Sequence, residues 1–185
     1  MNLGLAFLHP SSDADEPWLN RLTGWVSSHN VCHVELYFPT LDQCFSVQSG
    51  GVAQLRHKQL SNPGYTVVTL GVSRKEYDDC LCFCRGAVGI PFADAPMLRA
   101  YVHGLVTPTP ILACAESSSQ ASGATFCSKI VTEALQFADV REVADLHPAC
   151  STPSRLLTAV SGSERRVMGS VPYKERNMLA KAVTM

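Results

Sequence analysis

Two short runs, "CHVELYF" (32–38) and "CFSVQ" (44–48), alternate apolar and polar residues with a period of two, and "PTLDQ" joins them. A pleated strand sends successive side chains to opposite faces, so this pattern commits the segment to a β-hairpin with one face in a core. Cys32, Val34, Leu36, Phe38, Phe45 and Val47 take the core face; His33, Glu35, Tyr37, Ser46 and Gln48 take the other. The turn "SGG" closes the unit. Two further runs, "LGLAFLH" (3–9) and "YTVVTLGV" (65–72), have the same strand character.

Elsewhere the period lengthens to that of a helix. Trp18, Leu22, Trp25 and Val26 share a face in 15–26, with Asp15 ahead of Pro17 as the cap. Ser73 and Glu76 form an S-x-x-E capping box that opens a helix through Arg85, ending near Gly86 or Gly89. "FCSKIVTEALQFA" (126–138) repeats apolar residues at Ile130, Val131, Ala134, Leu135 and Ala138, the strongest helical pattern in the chain. "TPSRLLTAV" (152–160) starts a short one. Residues 107–124, rich in Pro, Ser, Ala and Gly, read as a loop leading into Cys127, placed to serve as a lid or specificity loop.

With 185 residues, 46% of them hydrophobic, the chain can bury one sizeable core. A net charge of −1 supplies no field for nucleic acid, and no apolar run approaches the roughly 20 residues of a membrane span. "MNLGLAFLHP" has no basic leader region and reads as a strand, so the expectation is a cytoplasmic or otherwise intracellular protein whose eight cysteines are free thiols. One domain over residues 1–161 is expected, followed by a basic tail over 162–185 with five Lys/Arg against two Glu.

Most cysteines in such a chain are inert core residues. Cys127 differs in its place, the first turn of a helix, where unpaired N–H groups and the helix dipole stabilise a thiolate. A nucleophilic cysteine also needs a base and a group that holds the base. The polar face of the hairpin offers His33 as base and Ser46, Gln48 or Glu35 as the third group; left to itself, such a face is ordinary solvated sheet surface. "CLCFC" (80–84) does not make a zinc site, because Cys80 and Cys84 share a helix face that Cys82 does not. His57, His103 and His147 are scattered.

"CHVELYF", "CFSVQSGGV", "GIPFADAP" (89–96) and "TFCSKIVTEALQ", in that order, resemble the circularly permuted branch of the papain-like NlpC superfamily. In that branch the histidine strand precedes the cysteine helix. The resemblance implies a papain-like α+β fold, an antiparallel sheet packed against the helix that carries the nucleophile, with Cys127 as nucleophile and His33 as base. The third position falls on Ser46, where many relatives carry Glu, His or Asn, and Glu35 or Gln48 stand as substitutes. Phe92 replaces the usual tyrosine of the Gly-x-Pro-aromatic-x-Asp segment, while Asp94 and Ser128 are candidate wall residues. The implied activity is hydrolysis of an amide or isopeptide-like bond in a peptide or other acyl substrate, through a thioester and without a cofactor. Lipid acyl transfer on the same fold is the alternative, with an apolar groove at the site. A degenerate binding or structural protein is another, with Cys127 occluded.

Overall fold

The computed structural model describes residues 1–10, 29–58, 60, 64–93 and 125–167. The expected helix at 15–26, the loop at 107–124, Asp94 and His103 lie outside the described residues, as does the chain beyond 167. Among the described residues, five strands form one antiparallel sheet: β1 (Asn2–Leu8), β2 (His33–Phe38), β3 (Gln43–Ser46), β4 (Gln54–His57) and β5 (Tyr65–Gly71). Their spatial order is β4-β3-β2-β1-β5.

Alternation sets the register. Val68, Leu5, Leu36 and Phe45 stand in one cross-strand row, and all four are buried. Each such side chain contributes about 1.5–3 kcal/mol by leaving water, so a one-residue slip that turned the row outward is strongly disfavoured. On the opposite face Gly4 pairs with Tyr37, and a Cβ at Gly4 would sit 3.0 Å from the ring carbon Cδ1 of Tyr37. Glycine permits that approach.

The strand β4 had no counterpart in the sequence reading. Its four residues, "QLRH", form an edge strand that is half-exposed and carries no clear alternation. The other strands fall where the alternation puts them, within a residue or two at each end.

Three α-helices complete the described fold: α1 (Arg74–Gly86), α2 (Cys127–Phe137) and α3 (Pro153–Ser161). The capping box of α1 is formed in both directions: Ser73 Oγ accepts from the Glu76 N–H at 3.1 Å, and Glu76 accepts from the Ser73 N–H at 2.6 Å. Cys80 and Cys84 face inward and Cys82 is exposed. Ile130, Val131, Ala134 and Leu135 of α2 join the sheet in a single core. The helix packs on β2 and β3 and also on α1, where the Cys80 thiol donates to Ala134 O at 3.4 Å. Thr152 caps α3 by accepting from the Arg155 N–H, with Pro153 in the first turn.

Two short 3-10 turns, Arg141–Val143 and Pro148–Cys150, link α2 to α3. Beyond α3 the chain returns to β5, where Arg166 bridges Leu70 and Val167 N–H donates to Thr69 O. Arg165 clasps this return. Its guanidinium donates to Gly71 O at 2.8 Å, to both Glu76 oxygens at 2.8 Å and to Glu142 at 3.4 Å. Among the described residues, no helix is long and apolar enough to cross a membrane.

In line with the expected thiols, Cys32, Cys44, Cys80, Cys82, Cys84 and Cys127 are not disulfide-bonded. Cys150 departs from it, being disulfide-bonded.

Candidate active site

The segment 87–93 carries the cysteine helix to the sheet. After α1, Gly89 adopts a positive φ of 93°, a conformation that favours glycine, and the chain turns to run beside the end of the β3 hairpin. Ala53 N–H donates to Ile90 O and Phe92 N–H to Gly51 O, while Ala93 N–H donates to Thr125 O and Thr125 N–H to Pro91 O. Thr125 and Phe126 are thereby buried, and Phe126 starts α2 without a side-chain cap. The free donors of the first turn stay available, and one is used at once: the Ser128 N–H hydrogen-bonds the Cys127 sulfur.

A second donor comes from the sheet. The β2–β3 ladder ends at Leu36 and Phe45, and beyond it the Val34 N–H also points to the Cys127 sulfur. The third partner is the imidazole of His33, close enough to the same thiol for each to shift the other's ionisation. Cys127 and His33 are almost wholly buried, 4% and 8% exposed.

The other side of the ring determines its tautomer. His33 Nε2 lies 3.2 Å from Ser46 Oγ and 3.5 Å from Glu35 Oε1. Ser46 donates its single hydroxyl proton to Val34 O at 2.9 Å, so toward His33 its oxygen can only accept. Nε2 therefore carries a proton, held between Ser46 and Glu35. Both Ser46 and Glu35 thus orient the ring, Ser46 as a neutral acceptor and Glu35 as a charged one. Gln48 is exposed and stays outside this buried cluster. Ser128 is wholly buried, and its hydroxyl donates to Ser151 O at 2.8 Å, tying α2 to the turn before α3. Its backbone serves the sulfur. His57 and His147 are exposed.

Two residues missed in the sequence complete the cluster. Lys58 Nζ pairs with Glu35 Oε1 and donates to Tyr65 OH at 2.6 Å, while Tyr65 OH donates to Glu35 Oε1 at 2.9 Å. Strands β4 and β5 are consecutive in the chain but occupy opposite edges of the sheet. Lys58 begins the connection between them and so comes to lie over Glu35 near the middle. A lysine in the polar stretch "RHKQ" gives no signal of this, because without β4 the crossing is invisible.

Charge follows from the contacts. Burial opposes a charge on His33, but the Cys127 thiolate and the Glu35 carboxylate outweigh it and raise the imidazole to about 9. Burial would likewise raise Glu35, yet His33 and Lys58 bring it down to about 2. For Cys127 burial again opposes ionisation, and His33 with the two backbone donors reverses the sign, holding the thiol below its ordinary value. Other buried thiols lack such partners: burial pushes Cys44 and Cys80 up to about 12. Both shifts favour a thiolate–imidazolium pair backed by a carboxylate. Such an arrangement can deliver a nucleophile and then a proton to the same reacting centre. No group of His, Cys, Asp and Glu able to hold a metal ion is found among the described residues.

Comparison of the chain with family models, with curated proteins and with solved structures finds no match.

Proposed function

We propose that this chain is a cysteine hydrolase of the circularly permuted papain-like kind, cleaving an amide or isopeptide-like bond through a thioester on Cys127. The observation that supports the reading best is the buried cluster in which Cys127, at the head of α2, meets His33, whose ring is held by Ser46 at 3.2 Å and Glu35 at 3.5 Å, with the thiol shifted down and the imidazole up. A structural cysteine of similar burial moves the other way, as Cys80 does. The order of histidine strand before cysteine helix, on an antiparallel sheet, agrees with the permuted arrangement.

In the proposed reaction the Cys127 sulfur attacks the acyl carbon, forming the C–S bond while the carbonyl electrons move to oxygen. The Cys127 N–H, at the head of α2, helps to hold that oxyanion. The intermediate collapses with cleavage of the C–N bond, and the leaving amine takes its proton from His33. Neutral His33, its tautomer kept by Ser46 and Glu35, then removes a proton from water as that water attacks the thioester. Breaking the C–S bond releases the acid and restores the pair.

One observation favours a second reading. At 4% exposure Cys127 is nearly occluded, which suits a binding or structural role in which the pair persists without turnover. A panel of acyl probes with amide, ester and thioester leaving groups, read by intact mass and peptide mapping, separates the two. The hydrolase reading expects a hydroxylamine-sensitive acyl adduct on Cys127 that His33→Ala abolishes. A chain that stays unacylated by every probe, yet alkylates at Cys127 once denatured, supports the occluded alternative.

A further inference from the structure

We propose that Lys58 is a positioning residue of the site, its ammonium balancing the buried Glu35 carboxylate so that the Cys127–His33 ion pair sits in an electrically neutral cluster. The inference rests on the ion pair proposed above and extends it to a residue outside the reacting groups.

Cys127 and Glu35 carry negative charge, His33 and Lys58 positive, and the four form one continuous chain of contacts from the helix N-terminus to the connection after β4. Glu35 is wholly buried, and its second oxygen, Oε2, has no hydrogen-bond partner. Ionisation of this carboxylate therefore depends on what reaches Oε1, namely Lys58, Tyr65 and His33. A buried charge without a counter-charge is costly and is relieved by moving a proton.

The other groups around the ammonium do not supply a substitute. Tyr65 on β5 and Cys44 on β3 are both held neutral, by burial first and by the Glu35 charge second. Arg56 on β4 and Asp42 in the β2–β3 turn bring one charge of each sign. Ser46 is neutral. Removing Lys58 leaves a net negative charge in the cluster, and the most basic anion in it is the thiolate. The proton taken up goes to Cys127.

The test is the pH dependence of iodoacetamide alkylation at Cys127, followed by peptide mass in the full chain, with melting temperature recorded for each variant. Lys58→Met keeps the aliphatic stem and removes the charge. Its alkylation midpoint should rise by about one pH unit, which makes alkylation about tenfold slower below that midpoint. Lys58→Arg should keep the wild-type profile. The double variant Glu35→Gln, Lys58→Met removes one charge of each sign and should return the midpoint toward wild type, which a loss of packing alone would not do. A depressed wild-type midpoint that Lys58→Met leaves in place overturns the role of Lys58, as does a double variant that titrates like Lys58→Met. If the wild-type thiol itself titrates at the ordinary cysteine value, the ion pair fails and this inference falls with it.

Discussion

His33 and Glu35 stand two residues apart on β2, and Glu35 Oε1 lies 3.5 Å from His33 Nε2 while Ser46 Oγ lies 3.2 Å from the same nitrogen. The two acceptors differ in charge, and that difference predicts unequal effects. Glu35→Gln removes the carboxylate that helps to keep His33 protonated and should lower turnover about 10- to 100-fold, less than the roughly 10²- to 10⁴-fold that a general acid–base itself contributes. Ser46→Ala removes one neutral hydrogen bond worth about 1 kcal/mol and should cost about fivefold. Neither should equal Cys127→Ala. Steady-state rates on any substrate found by the acyl panel decide this, and equal losses for the two variants would contradict the assignment.

The thiols should differ in reactivity. Cys44 and Cys80 are buried and pushed up to about 12, and burial raises Cys84 well above its ordinary value. Brief iodoacetamide treatment near neutral pH should label Cys127 ahead of these three, with exposed Cys82 as the competitor by access alone. Labelling of Cys80 or Cys84 before Cys127 would contradict the thiolate.

How far the site could be read in advance depended on the kind of signal. Alternation in "CHVELYF" puts His33 and Glu35 on one face, and the helical period of 126–138 puts Cys127 at a helix start, so both members of the candidate pair were legible from local pattern. Alternation says only that a face is opposite the core, however, and here that face is closed over: Glu35 is fully buried and His33 nearly so. Lys58 depends on β4 and on a crossing between sheet edges, both non-local. The capping box at Ser73 and Glu76 was legible because its two bonds are made within four residues, whereas the second use of Glu76, as the partner of Arg165, joins groups 89 positions apart.

That distant contact gives a stability prediction. Arg165 has a side chain about one-fifth exposed and shared among Glu76, Glu142 and Gly71 O. Arg165→Ala leaves a mostly buried Glu142 and Glu76 without their cation and should destabilise the fold by about 1–3 kcal/mol, allowing for partial solvent screening. Denaturant melts measure it. Alkylation at Cys127 should be unaffected below the melting transition, and a shifted alkylation profile would link the clasp to the site.

Acid stability should be tied to Glu35. Its carboxyl is at about 2 in the folded chain against 4.5 ordinarily, so its contribution is fully present above about 4.5 and is lost as pH falls through about 2. His33, raised to about 9 from 6.5, contributes fully below 6.5 and loses that contribution as pH rises through 9. Cys127 is lowered and so contributes in the opposite sense on the alkaline side, which makes the acid arm the cleaner test. Melting temperatures between pH 5 and about 2 should fall more steeply for the wild type than for Glu35→Gln. Parallel acid arms would contradict a depressed Glu35.

The ion pair is the centre of this account, and its most direct measurement is the titration of the His33 ring by NMR in the wild-type chain and in Cys127→Ser. Because the thiolate helps to hold the imidazole protonated, His33 should titrate near 9 in the wild type and fall clearly below that value when sulfur is replaced by oxygen. A ring that titrates near its ordinary 6.5 in both proteins would contradict the thiolate–imidazolium pair.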